Sequence, residues 1–266
     1  MNRIDAAFRR LRLQRQKGLV AYMTAGDAGL VTTAKLLGAF TRAGVDVAEL
    51  GVPFSDPLAD GVVNQKAAER ALQCGTTLAK ILALVKKFRR NGGALPIVLF
   101  TYFNPVHRYG VARFVRDAAT AGVDGVLMLD LPPEEESSYE DLIRDKNLKH
   151  IRLIAPTTPE ERMARIARRA SGFIYYVSRE GVTGMQKTLS ASIEPRVAMI
   201  RRYARAPIAV GFGISTPAQA KAVAATADAV VVGSAIVNRI EKFGGNARVV
   251  GEVERFVRSL SRAILR

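Results

Sequence analysis

Short apolar runs recur along this chain, and the spacing between successive runs leaves room for a helix. Eight of them read as strands: Leu19–Thr24, Val45–Leu50, Ile97–Tyr102, Gly125–Asp130, Ile151–Ala155, Phe173–Val177, Ile208–Gly211 and Ala229–Gly233. Apolar residues run on continuously within them, without polar alternation, which marks strands buried on both faces and hence a parallel sheet. Between them the pattern turns helical, as in Val111–Ala121 and Glu160–Ala170. Thr158-Pro159-Glu160 reads as an N-cap, a first-turn proline and an acidic first turn, and Ser215-Thr216-Pro217 offers a similar start. Eight strand–helix units predict an α/β fold, a (β/α)8 TIM barrel forming one domain over residues 1–266. A doubly wound open sheet would call for a Gly-x-Gly-x-x-Gly turn after the first strand, and there is none. Ile4, Phe8 and Leu11, at helical spacing, predict an extra N-terminal helix closing the bottom of the barrel. Val62–Gln73 predicts a second extra helix after strand 2.

Composition narrows the class. With 48% hydrophobic and 24% charged residues over 266 positions, the chain is an ordinary globular one. Its one cysteine, Cys74, makes no internal disulfide, and with His107 and His150 it forms a poor metal set, so a reducing cytoplasm and no metal are expected. No apolar run reaches the ~18 residues of a membrane span, and the basic N-terminus carries no secretory h-region. The net charge of +16 is unusual. Its Lys and Arg fall in clusters on the later parts of predicted helices, such as Lys86-Lys87 with Arg89-Arg90 and Arg201-Arg202 with Arg205. Cations there suit the helix dipole. No aromatic residues alternate with them as a nucleic-acid stacking platform requires, so no nucleic acid is expected as a partner.

Candidate chemistry gathers at the strand ends. The second apolar run closes on a carboxylate, Glu49, and the following loop, stiffened by Pro53 and Pro57, brings back Asp56 and Asp60. In barrels the carboxyl ends of the strands hold the chemistry. The alternative for Glu49 is a salt bridge to a Lys or Arg at the barrel mouth. Gly211-Phe212-Gly213 follows the seventh strand and Gly233-Ser234 the eighth, where barrels recurrently bind phosphate through backbone N–H groups. The long loop after the sixth strand, Ser178 to Met185, is a candidate lid.

These pieces carry a family resemblance. Tyr22-Met23-Thr24-Ala25-Gly26-Asp27, the Glu49–Gly61 segment, Tyr102-Phe103-Asn104-Pro105, Asp130-Leu131-Pro132, Ser178 through Gly184, and the two glycine-rich strand ends occur in the order and spacing of one family. The chain resembles the α subunits of tryptophan synthase, the indole-3-glycerol-phosphate lyases, along nearly its whole length. The resemblance implies a (β/α)8 barrel that cleaves indole-3-glycerol phosphate by a retro-aldol reaction to indole and glyceraldehyde 3-phosphate. It implies no cofactor in this chain. It also implies an αββα complex in which indole passes to a pyridoxal-phosphate β subunit.

Residue by residue, the resemblance makes Glu49 the general acid/base and Asp60 the carboxylate that holds the indole N–H. Tyr175 and Thr183 become supporting groups. Tyr22, Phe100, Leu127 and Phe212 become walls of the indole pocket, and Gly184, Gly213, Gly233 and Ser234 the phosphate cradle. Asp56 and Pro57 are expected on an exposed loop at the catalytic rim, docking on the β subunit. Two departures stand out. Val62-Val63-Asn64-Gln65 replaces the family's usual proline, two apolar residues and glutamine, which bears on the stiffness of the Asp60 loop and its contact with the β subunit. Glu180 adds a negative charge to the lid, against phosphate closure. The alternative functions are a stand-alone lyase or mainly an activator of a β subunit. A different phosphosugar isomerase leaves the Glu49–Asp60 segment unexplained.

Overall fold

The structure, a computed structural model, describes residues 1–135, 137–178, 186–211 and 213–265, without the side chains of 137–138 and 186–192. All nine strands among the described residues are parallel and join one sheet. They are β1 (Gly18–Thr24), β2 (Val47–Gly51), β3 (Ile97–Thr101), β4 (Gly125–Met128), β5 (Lys149–His150), β6 (Arg152–Ile154), β7 (Ile174–Val177), β8 (Ile208–Gly211) and β9 (Ala229–Val232). β5 and β6 are two halves of the fifth barrel strand, parted at Ile151; only β6 lies within the predicted run Ile151–Ala155. The first half pairs with β4 and the second with β7, and β9 pairs with β1. The sheet thereby rolls into a TIM barrel. The fifth strand begins two residues earlier than the apolar run predicts, because Lys149-His150 is drawn into the ladder by pairing with Gly125-Val126.

Strand burial follows the expected two-sided pattern, complete in β1, β2, β4, β8 and β9. Alternate residues separate two cores. Val20, Val47, Val98, Leu127, Phe173, Ala209 and Val231 fill the barrel interior. Leu19, Ala48, Leu50, Leu99, Val126, Ile174 and Val230 face outward to the helices. The N-terminal helix α1 (Arg3–Leu13) forms as its spacing predicts, and Ile4, Phe8 and Leu11 pack into the interior cluster from below. Asn2 caps it by accepting the Ile4 N–H at 2.9 Å and donates to the carbonyls of Asp124 and Asn147.

That end of the barrel is stitched by a repeated device. Asp46, Asp124 and Asp228 each stand just before a strand, and each accepts an N–H from the first or second residue of a neighbouring one: Leu19, Ile97 and Ile208, at 2.8–2.9 Å. A buried N–H at a strand start has no ladder partner, so a carboxylate there removes a desolvation cost and fixes register.

Helix starts divide. The helix Pro217–Ala224 has the predicted Thr216 cap, completed into a capping box by Gln219. Thr158 is not a cap. Its hydroxyl turns back to accept the Ala155 N–H at 3.0 Å, and Pro159 takes the N-cap position of Glu160–Arg169. The second extra helix, Val62–Gln73, forms with the predicted bounds. Among the described residues no helix is long and apolar enough to cross a membrane.

Candidate active site

The two-residue period of β2 that turns Val47 into the barrel turns Glu49 inward one layer higher, towards the carboxyl end. Tyr22 of β1 and Val98 of β3 flank it in register. The same period places Phe100 above Val98 and Tyr175 above Phe173. Glu49 is fully buried, and neither of its carboxylate oxygens has a hydrogen-bond partner. The salt-bridge alternative is therefore excluded among the described residues. Burial without compensation favours the neutral acid and lifts its pKa from 4.5 to about 8.

Asp60 reaches the same mouth from the loop after β2. Its Oδ2 accepts from the Tyr102 hydroxyl at 2.9 Å, and its Oδ1 accepts more weakly from Asn64 Nδ2 at 3.4 Å. Burial raises its pKa too, but these two hydrogen bonds pull it back. The two carboxylates thus differ in kind: one bare and buried, one held by donors. Both act on the same two phenols. Burial, then the charges of Asp60 and Glu49, hold Tyr22 protonated. Burial, then Glu49, does so for Tyr175.

The Asp60 loop is tied down despite its departures from the family pattern. The Tyr102 hydroxyl also accepts the Ala59 N–H at 3.0 Å, Gln65 Nε2 donates to the Asp60 carbonyl at 2.8 Å, and the Phe54 ring lies 5.3 Å from that of Tyr102. Side-chain bonds from Asn64 and Gln65 do here what backbone stiffness would do otherwise. Val63 adds to the apolar wall, packing with Tyr22, Phe100, Ala67 and Val237. Asp56 is exposed and Pro57 half-buried on this loop.

Of the expected pocket walls, Tyr22 and Phe100 meet edge-on with ring centroids 5.1 Å apart. Leu127 is fully buried beside Phe100 in the interior cluster. Phe212, Thr183, Gly184 and Glu180, with the rest of the 179–185 lid segment, lie outside the described residues. At the glycine-rich ends, Gly213 adopts a left-handed φ of +70° after β8. Gly233 is the N-cap of the helix Ser234–Phe243, with no side chain capping its first N–H groups. β8 and β9 are neighbours, so both glycines lie at one rim. The contrast with the helix opening at Pro217 is informative, since that N-terminus is closed by its own capping box. The free N–H groups belong to the helix at Ser234, where an anion is favoured.

Sequence reasoning missed four contributors: Tyr102, Asn64, Gly51 and the inward role of Gly211. Tyr102 follows the end of β3 and was open to the same strand-end rule that picked out Glu49. The glycines serve the tyrosines. A Cβ on Gly51 would stand 2.3 Å from the Tyr22 oxygen, and one on Gly211 would stand 2.9 Å from that of Tyr175 and 2.7 Å from Val231 Cβ. Gly51→Ala and Gly211→Ala are each expected to lose about 1–3 kcal/mol of stability in urea titrations. Gly251→Ala, where nothing lies within 4 Å, should lose none.

Comparison with known proteins bears on this geometry. The family model for the tryptophan synthase alpha chain matches residues 8–264. The tryptophan synthase alpha chain of Geotalea daltonii is 50% identical over 245 residues, 92% of each chain. That of Geobacter sulfurreducens is 48% identical over 264 residues, 99% of each. The crystal structure of tryptophan synthase subunit alpha from Legionella pneumophila is similar with a TM-score of 0.91 at 38% identity, covering 99% of this chain and 98% of that one. A chain of the aminoacrylate-bound tryptophan synthase of M. tuberculosis gives 0.88 at 30% identity, covering 99% and 100%.

Proposed function

The chain belongs to the tryptophan synthase alpha chain family, and from that premise we propose how its residues divide the work. As a member it is a lyase of tryptophan biosynthesis that cleaves indole-3-glycerol phosphate. Glu49 is the general acid/base. As the neutral acid it gives its proton to C3 of the indole ring, which becomes an iminium cation. The resulting carboxylate takes the proton of the hydroxyl on the adjoining side-chain carbon. The C–C bond then breaks, its electrons restore the aromatic ring, and the aldehyde leaves with the phosphate. Protons balance, and Glu49 ends as it began.

Asp60 holds the ring N–H and offsets the cation's charge. Keeping one acid protonated and the other ionised by differing surroundings is what this step requires. Tyr175 and Thr183 support the site. Tyr22, Phe100, Leu127 and Phe212 enclose the ring, and Gly184, Gly213, Gly233 and Ser234 cradle the phosphate. The observation that carries this reading is a fully buried Glu49 with no partner on either oxygen.

An alpha chain implies a β-subunit partner. We assign the finer picture to an αββα complex, with pyridoxal phosphate in the β subunit alone and Asp56 and Pro57 at the contact. The exposed Asp56 and Leu58 on the tethered Asp60 loop support this. The test is indole release from indole-3-glycerol phosphate with and without the β subunit. Addition should raise the rate at least tenfold, or about 1.4 kcal/mol, and Asp56→Ala should cut that activation while sparing the basal rate. A fast isolated chain unmoved by any β subunit would mark a stand-alone lyase. No indole release in either state would leave only an activator.

A further inference from the structure

At the end of the barrel opposite Glu49, a cavity of about 590 Å³ opens between α1 and the starts of β7, β8 and β9. Its walls carry six cationic side chains and two carboxylates. Both carboxylates are committed. Asp228 pairs with Arg201 at 3.2 Å and accepts the Ile208 N–H, and Asp5 pairs with Lys149 at 2.6 Å. Lys17 is also engaged, donating to the Ala227 carbonyl at 2.7 Å. Four guanidinium groups remain, from Arg9, Arg12, Arg15 and Arg205, with no acidic partner among the described residues.

Helix-dipole compensation does not account for this set. It suits Arg12, in the last turn of α1, but Arg9 lies earlier in that helix, and Arg15 and Arg205 lie beyond helix ends. Arg15 also holds a left-handed backbone, φ +54°, where glycine would sit without strain. The floor beneath these charges is apolar, formed by Phe8, Leu11 and Pro207.

Uncompensated like charges around one concavity raise its potential and draw in a counter-charge. Guanidinium forks match phosphate oxygens two at a time. A concave wall of this volume is of the size that encloses a small molecule. We infer that this cavity is a second binding site, distinct from the catalytic mouth, for a multiply charged small phosphate anion. The same site gives part of the +16 net charge a use. The apolar floor favours an anion with an apolar body over a bare one, so a nucleotide should bind more tightly than an inorganic chain of equal charge.

Titration calorimetry at ~50 mM salt, with inorganic tripolyphosphate and with ATP as probes, tests this. Saturable one-to-one binding is expected, weakening as salt rises towards ~200 mM. The double variant Arg12→Glu/Arg205→Glu should raise Kd at least tenfold, with the fold and indole release retained. Lys86→Glu/Lys87→Glu on the helix Leu78–Arg90 makes the same change in net charge at residues that do not line the cavity, and should leave Kd within twofold. Tighter binding of ATP than of tripolyphosphate identifies the apolar floor as part of the site; equal binding assigns the site to the phosphates alone. Absence of saturable binding overturns the inference. So does equal weakening by the two double variants, which would make the effect one of overall charge. Tight binding of single-stranded RNA with no binding of either probe would place the basic surface in macromolecular recognition instead.

Discussion

Replacing Glu49 with glutamine is expected to abolish indole release while leaving a folded barrel. The amide neither gives nor takes a proton at the pH of the reaction, and no other acid of the described residues stands in its place with a raised pKa and no partner. Loss of a general acid/base costs roughly 10²- to 10⁴-fold, or about 3–5 kcal/mol of barrier. Because Glu49 titrates near 8, wild-type kcat/KM should fall as pH rises through that value and the acid form is lost. A second readout is independent of catalysis. The folded pKa of about 8 lies above the unfolded value near 4.5, so between them the folded state holds a proton that the unfolded state has released. The stability this one group contributes is therefore fully present below 4.5, is lost as pH rises through the interval, and is gone above 8, an amount on the order of a few kcal/mol. Glu49→Gln should flatten that decline in thermal melts at pH 5 to 9. A variant that keeps the slope, or that turns over near the wild-type rate, would remove Glu49 from its role.

The burial that makes Glu49 an acid was only half legible in the sequence. An apolar run closing on a carboxylate marks a strand end, and the barrel rule turns a strand end into a site. Nothing in the run says that no Lys or Arg will stand opposite; that depends on which side chains the neighbouring strands aim inward, here Tyr22, Phe100 and Tyr175. The strands themselves were legible because two-sided burial writes continuous apolar runs. The exception, Lys149-His150, is polar and enters the sheet by pairing alone. Thr158 was misread because a threonine before proline has two uses, a cap or a turn, and only the position of the Ala155 N–H decides between them. Asn64 shows the same limit at the site. As a departure from a family pattern it pointed to a looser loop, yet its amide is one of two donors on Asp60.

That pair of donors shapes what Asp60→Asn should do. The carboxylate accepts from the Tyr102 hydroxyl through one oxygen and from the Asn64 amide through the other. An asparagine keeps one acceptor and puts an NH2 where the second was, so one of the two partners must turn to accept from it: the Tyr102 hydroxyl, or the Asn64 amide through its unpartnered Oδ1. It also replaces a full negative charge by a dipole opposite a cation that exists only while the ring is protonated. Interactions of that kind act on the transition state more than on bound substrate, so kcat should drop by about 10²- to 10³-fold, some 3–4 kcal/mol, with KM moved far less. Tyr102→Phe separates the two causes. It removes the Asp60 Oδ2 donor but leaves the charge, and because that hydrogen bond lowers the Asp60 pKa, its loss should raise the pH below which activity declines. Its rate penalty should lie between about tenfold and 10²-fold, the worth of one hydrogen bond to a charged group, about 1.5–3 kcal/mol. An Asp60→Asn enzyme within threefold of wild type would show that the ring cation needs no counter-charge. An Asp60→Asn loss matched in size by Tyr102→Phe would assign the effect to the loop's geometry and not to the charge.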